Sequence, residues 1–552
     1  LALLLEVLVP AAPTLGPPFT ATRAQALAAA DSVARSRAVD PDAWHRLSST
    51  AQDTLSGFAR FFTQEDAEAL ALQLAETYEP PAWWVVRYVN IGGTAAERAE
   101  EWRVRLWPDG RPLDLRHLLP DSVARDSVSA ERSRRLARAA LAQAGMDTLV
   151  LLESRLEVTE RPARRDVTVT YTDTALALPG AAAARAWVTL AGEEVLVVRR
   201  GIELPETFMR ASRERGTTNL VVTLVCMAWL VGLVITLIVL VIRRRPPVLH
   251  DGVLGRRRAL AFVGILAVFA GGTALNGWPN QIFSYATTMP WPNWVAINAV
   301  VVFLATVPSL IALGLWMVVG SLRRRVGIPL LPGGSDRNAS DHRRDVMLAG
   351  VGLGSTAALV SLGLRLADRG GGIPAAPGTS LGLALPWLGG GLGVPMEVVM
   401  SVVALALPGL AVVGIRGRRG ARATVAAALV VPLMVVAYVT APAAANSVVR
   451  ALGPAGVGVV VAVLSIRWWA GYAGWAWVVG AAVLPGYGGV WTLLHGSTGT
   501  ERVGGALTVA VCLALLWMAY QVTGPWAGVF SDAGPPQGIS AAGTTPASEA
   551  AR

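Results

Sequence analysis

Between Asn219 and Ile242 the chain carries 24 consecutive residues without a charge (NLVVTLVCMAWLVGLVITLIVLVI). A helix of that length crosses a hydrocarbon core about 30 Å thick with some tilt. The run also divides the sequence in two. Up to Gly216 there are 26 Arg against 29 Asp plus Glu, a net of −3, whereas beyond it 22 Arg face 9 acids, a net of +13. The overall charge of +10 therefore belongs to the apolar part. Basic residues that flank apolar runs report membrane topology and are no argument for nucleic acid.

Further apolar stretches follow at Ala259 to Leu275, Trp294 to Gly320, Val346 to Leu364, Leu381 to Ile415, Ala423 to Val439, Val457 to Ile466, Ala470 to Leu494 and Val503 to Val522. Together they predict a polytopic α-helical membrane bundle of about nine spans, with an α+β domain ahead of it. If Asn219 enters from outside, 18 of the later arginines fall on the cytoplasmic side and four on the other. That bias puts the first domain outside the cytoplasm of a bacterial inner membrane. Leu1 to Val9 (LALLLEVLV) is then expected to be the remnant of a signal peptide or a signal anchor. The expected organisation is residues 1–21 as that remnant, 22–216 as the extracytoplasmic α+β domain, 217–522 as the multi-span region, and 523–552 as a disordered cytoplasmic tail.

Inside the first domain, Thr22 to Arg35 and Gln64 to Thr77 read as helices and Ala82 to Asn90 and Glu101 to Trp107 as strands. Trp107-Pro108-Asp109-Gly110 supplies a turn before a short strand ending near Arg116. The pattern recurs. Ser129 opens a helix to Ala144, and Leu149 to Glu157, Asp166 to Thr172, Ala184 to Leu190 and Glu194 to Arg200 read as a meander. Two tandem units of helix followed by strands resemble the small PepSY-type domains found outside many bacterial membrane proteins.

Chemistry is sparse. Every basic residue apart from histidine is arginine, which excludes a Walker lysine, a Schiff-base lysine and a kinase lysine. Cys226 and Cys512 stand alone in apolar runs and read as buried thiols. His45 and His117 lie in the first domain among many acids, yet no HExxH, Gly-x-Ser-x-Gly or Cys/His cluster accompanies them, so binding is favoured there over catalysis. No cofactor and no metal are expected. The extracytoplasmic loop Asn276 to Asn293 (NGWPNQIFSYATTMPWPN) is uncharged and stiff, and is expected to lie at the membrane surface, either over a cavity or as a simple interfacial re-entry. Trp468, Trp469, Trp475, Trp477 and Trp491, with Tyr472 and Tyr487, read as an interfacial aromatic belt. Among the apolar runs one acid stands out, Glu397, which follows Pro386, Trp387 and a glycine-rich turn. A carboxyl inside a membrane helix is costly, so Glu397 reads either as a protonated or hydrogen-bonded acid buried against a neighbouring helix or as a proton-relay or catalytic carboxylate.

An outer helix/strand domain, a first span followed by arginines, and Leu385-Pro386-Trp387-Leu388 leading into the Glu397 helix resemble the CPBP family, the CAAX-protease and bacteriocin-processing intramembrane peptidases, in a subset with an extracytoplasmic amino-terminal domain. Glu203-Leu204-Pro205-Glu206-Thr207-Phe208 before the first span belongs to the same likeness. Family members carry paired glutamates and an arginine (EExxxR), then a histidine in each of two later helices. Here Glu397 matches the first glutamate, Val398 occupies the second place, Val402 stands where arginine is expected, and the later spans hold no histidine. The resemblance therefore implies a catalytically degenerate membrane protein that binds, senses or scaffolds, with membrane lipids and a peptide or envelope protein as partners and no nucleic acid. Two alternatives are an active endopeptidase with a divergent site around Glu397, to which Asn298, Asn446 or His495 would converge, and a transporter or permease component.

Overall fold

The computed structural model describes residues 15–52, 57–211, 256–304, most of 344–359 and of 383–398, and nearly all of 474–522, with two isolated positions between, Arg213 and Leu224. In the first of these regions eight strands form one sheet: β1 (His45–Gln52), β2 (Ala82–Val89), β3 (Glu101–Leu106), β4 (Pro112–Leu118), β5 (Leu151–Glu160), β6 (Arg165–Asp173), β7 (Ala183–Ala191) and β8 (Glu194–Glu203). Their order is β1-β2-β3-β4-β8-β7-β6-β5, antiparallel throughout. Each half is a meander, and the halves meet last strand to last strand. That seam is short, with Leu115 opposite Val198 and Arg116 opposite Val197.

One face of the sheet carries the core. Helix α1 (Arg23–Arg35) starts at Thr22, whose side chain accepts from the Gln25 amide while Gln25 bonds back, a complete capping box. It turns Ala26, Ala30 and Ala34, a stripe of four-residue spacing, onto Trp84, Val86, Tyr88, Val104 and Leu106. Helices α2 (Gly57–Gln64) and α3 (Glu68–Thr77) pack Phe61, Phe62 and Leu74 around Ala184 and Ile202 of the other half. After the short α4 (Ala95–Ala99), helix α5 (Ala130–Gln143), capped by Ser129, lays Ala137, Ala140 and Leu141 on Val167, Val169, Tyr171 and Val188. Leu115 packs with the α1 cluster and its seam partner Val198 with the α5 cluster, so both helices lie on the same face. The other face is open over much of its width, as antiparallel sheets allow.

The apolar part supplies α6 (Arg256–Asn276), α7 (Trp278–Phe283), α8 (Trp291–Leu304), α9 (Gly474–His495) and α10 (Gly499–Val522). Asn276, at the end of α6, clamps residues 384–385: its Oδ1 accepts from the Leu385 amide at 2.6 Å and its Nδ2 donates to the Leu385 carbonyl at 3.1 Å. The helical stretch 386–395 then crosses α10 so closely that a Cβ on Gly390 would meet Thr508 Oγ1 at 2.5 Å. This close approach is the reason for glycine at that position.

Several expectations need correction. The bundle of about nine spans is overturned: among the described residues one helix, Gly499–Tyr520, is long and apolar enough to cross a membrane, and the largest feature is the eight-stranded sheet. The multi-pass description falls with it. The stretches at Asn219 to Ile242, Ala423 to Val439 and Val457 to Ile466, residues 1–14 of the expected leader, and the tail 523–552 lie outside the described residues, apart from the single position Leu224. Trp294 to Gly320 is described only as far as Leu304, where α8 ends. Gln64 to Thr77 is two helices rather than one, because Asp66 takes a positive φ of 53° and turns the chain between them. Strand β1 was not legible. Its sequence, HRLSSTAQ, lacks apolar alternation because it is an edge strand paired only to β2.

Candidate functional site

Alternation along the strands sends every second side chain to the open face. On β2 and β3 those residues are Trp83, Val85, Arg87, Glu101, Arg103 and Arg105; on β4 they are Asp114 and Arg116, and across the seam on β8 they are Val197 and Arg199. The result is a cleft of about 570 Å³ in which five arginines from four strands converge, walled on one side by Phe283 and Ser284. A second hollow of about 460 Å³ shares Arg116 and Arg199 and continues toward Trp187, Thr168 and Thr189. Together they make one trough across the seam.

The arginines are not equivalent. Arg87, 7% exposed, holds Glu101 with two parallel bonds of 2.7 Å, and Arg103 Nε donates to the same carboxylate. Burial alone would raise the Glu101 carboxyl, but the hydrogen bonds from Arg87 and Arg103 outweigh it and hold the group below its usual range. Arg105 grips Asp114 and lies over the Trp83 ring at 5.2 Å. Arg199 lies over Trp187 at 5.5 Å and donates to Glu79 at 3.3 Å, while its buried Nε reaches no acceptor among the described residues. Arg116 makes no ion pair among the described residues, and burial lowers its pKa from the ordinary arginine value. In the first cleft five guanidiniums thus meet three carboxylates, Glu101, Asp114 and Glu79, leaving about two positive charges uncompensated, while Arg161 and Arg164 of the second hollow are matched by Asp121 and Asp166.

The wall of the trough belongs to the apolar part. Arg87 Nη1 donates to the carbonyls of Phe283 and Tyr285, the latter at 3.1 Å. Arg98 Nε donates to Thr287 O at 3.1 Å, and Ser49 Oγ to Asn280 Oδ1 at 2.8 Å. Beside them Val89, Tyr285 and Trp294 form a buried cluster ringed by Trp278, Ile282 and Trp291. The stiff loop Asn276 to Asn293 is therefore the surface on which the sheet is seated.

His117 is placed differently from an active-site base. Its ring stacks on Trp102 at 3.6 Å, Nε2 lies 2.9 Å from Glu100, and Nδ1 bonds Glu194, which Arg125 also holds. The hydrogen bond from His117 first, and that from Arg125, keep the Glu194 carboxyl low despite burial. The cluster ties β3, β4 and β8 together across the halves. His45 sits at the exposed start of β1. Among the described residues no group of three or more His, Cys, Asp or Glu is arranged to hold a metal.

Glu397 follows the stretch 386–395, between Val394 and Val398, which pack with Ala481, Ala482 and Cys512. Among the described residues no hydrogen bond or ion pair reaches it. Asn298 donates to Trp294 O at 2.9 Å and His495 Nδ1 lies 3.2 Å from Trp491 O, each within its own helix; Asn446 lies outside the described residues. The structure does not bring Asn298 and His495 to Glu397. Cys512 is buried, as expected, and Cys226 lies outside the described residues.

No family model, no curated protein and no solved structure matches this chain. The CPBP-like description does not hold: nothing in the comparisons indicates that family, and among the described residues a single candidate span stands beside the eight-stranded sheet. The arginine trough was not foreseen from sequence. A signal was present in Glu101-Trp102-Arg103-Val104-Arg105-Leu106, where arginine alternates with apolar residues, but the register across four strands was not.

Proposed function

We propose that this chain is a non-catalytic binding protein attached to a bacterial cytoplasmic membrane, whose sheet domain lies on the extracytoplasmic side and holds an anionic ligand in the arginine trough. The observation that carries this reading is the convergence of Arg87, Arg103, Arg105, Arg116 and Arg199 on one open sheet face with too few carboxylates to neutralise them. Guanidinium forks match carboxylate and phosphate oxygens; among the described residues Arg116 has no ion pair, and Arg199 keeps its Nε without an acceptor.

Membrane attachment is supported by Gly499–Tyr520 and by apolar side chains left exposed on α6 and α8, among them Val268, Leu275, Val300 and Phe303. The side is supported by α6 itself. Arg256, Arg257 and Arg258 stand in its first turn, while the sheet domain docks beyond its other end, on the segment after Asn276. Basic residues beside apolar segments are enriched on the cytoplasmic side, and the sheet domain sits at the opposite, uncharged end of this apolar helix.

Thermal unfolding of the full chain in neutral detergent tests the binding claim. Phosphate or citrate at millimolar concentration is expected to raise Tm by several degrees at constant ionic strength, and the Arg116→Gln/Arg199→Gln double variant to lose that rise. No anion-dependent shift in the native chain would overturn it. For the side, Ala142→Cys on the exposed surface of α5 is expected to react with an impermeant maleimide added to intact cells.

A further inference from the structure

The position of the trough, and not only its charge, narrows the ligand. Its wall, Phe283 and Ser284, is part of the connection between α6 and α8. Around that connection Trp278, Trp291, Trp294 and Tyr285 pack into one aromatic cluster, with Trp291 and Trp294 stacked at 5.3 Å and Tyr285 edge-on to both. Tryptophan and tyrosine collect where hydrocarbon gives way to water. Leading away from the cluster, α6 and α8 leave Val268, Leu275, Ile297 and Val300 at 51–73% exposure, an apolar flank among the described residues. The wall of the arginine trough and the start of the apolar flank are thus joined by one aromatic cluster, whose Tyr285 and Trp294 are buried against Val89 of the sheet.

We infer that the trough takes the phosphate headgroup of an anionic membrane phospholipid, its acyl chains lying along the α6 and α8 flank. The inference rests on the anion-binding reading above and names its ligand class. The charges agree: Arg116, which makes no ion pair among the described residues, and Arg199, whose Nε reaches no acceptor among them although Nη2 bonds Glu79, suit a phosphodiester with one further polar oxygen group, and Arg87 and Arg103 are committed to Glu101. A purely soluble phosphate ester would satisfy the arginines but would leave the apolar flank uncovered. A zwitterionic lipid would cover the flank but bring its own cation against Arg116. Only an anionic amphiphile satisfies both features.

The test is native mass spectrometry of the full chain released from neutral detergent micelles doped with either phosphatidylglycerol or phosphatidylcholine, with sn-glycerol 1-phosphate as the soluble comparison. Phosphatidylglycerol is expected to be retained at least tenfold over phosphatidylcholine. Arg116→Gln and Arg199→Gln should each reduce retention about tenfold, the loss of one charge-assisted hydrogen bond. Arg132→Gln, an exposed pair with Glu193 away from the trough, should leave retention unchanged and controls for general charge. An unchanged far-ultraviolet circular dichroism spectrum for each variant separates lost binding from lost fold. Equal retention of the two lipids, or retention insensitive to Arg116→Gln, overturns the inference. Glycerol phosphate binding as tightly as phosphatidylglycerol overturns the lipid source while leaving anion binding standing, and absence of binding by all three overturns both.

Discussion

Two guanidiniums of the trough have opposite consequences for stability. Arg87 and Glu101 are 7% and 3% exposed and pair through Nε and Nη2 to the two carboxylate oxygens, so neutralising the carboxylate leaves an uncompensated buried cation. Glu101→Gln is expected to cost about 3–5 kcal/mol in chemical denaturation. Arg116 has no ion pair among the described residues and is already disfavoured by partial burial, so Arg116→Gln should leave Tm unchanged or raise it slightly while weakening anion binding. A loss of several degrees for Arg116→Gln would show that it serves the fold. Glu101 also sets a pH dependence. Its carboxyl is held below the unfolded value, so its stabilisation is complete above that value, about pH 4, and is lost as pH falls through the depressed folded value. Acid titration of unfolding free energy should therefore be steeper below about pH 4 for the native chain than for Glu101→Gln.

Among the elements, the helices and most strands follow from local pattern. Thr22 and Ser129 are cap residues followed by alanine-rich stripes, β2 is a short apolar run, and β3 and β6 alternate apolar and polar residues, so helices and meander are legible from sequence. What escaped was what only pairing creates. β1 has no periodic apolar signature, and the β4–β8 seam that brings Arg116 beside Arg199 joins strands far apart in the chain. The β7–β8 turn divides the same way: Ala191-Gly192-Glu193 is legible as a hairpin turn, but the 126 segment packed against it is not. Gly192 has φ of 62°, and a Cβ there would lie 2.6 Å from Asp126 O. Gly192→Ala combines left-handed backbone with a backbone clash, and is expected to cost about 1–3 kcal/mol, read as a fall in denaturation midpoint without a change in slope. A cost near zero would mean that the 126 segment yields freely.

At the scale of the whole molecule, the apolar runs drew attention to Glu397 and to a count of spans, whereas the feature with the strongest physical case lies where the two parts meet. The uncharged loop Asn276 to Asn293 was recognisable as unusual, but its role as a seat for the sheet depends on buried partners, Arg87 and Arg98, that give no local sign of reaching it. The trough depends on this docking, which supplies one of its walls and sets it beside the apolar flank. The most direct test is a cross-link in native membranes. In a chain carrying Cys226→Ser and Cys512→Ser, the pair Ser49→Cys and Asn280→Cys replaces side chains whose oxygens lie 2.8 Å apart. Mild oxidation followed by peptide mass spectrometry is expected to yield the disulfide-linked 49–280 peptide as the main product. A free, maleimide-reactive thiol at position 49 with no such peptide would contradict the docking and, with it, the placement of the trough.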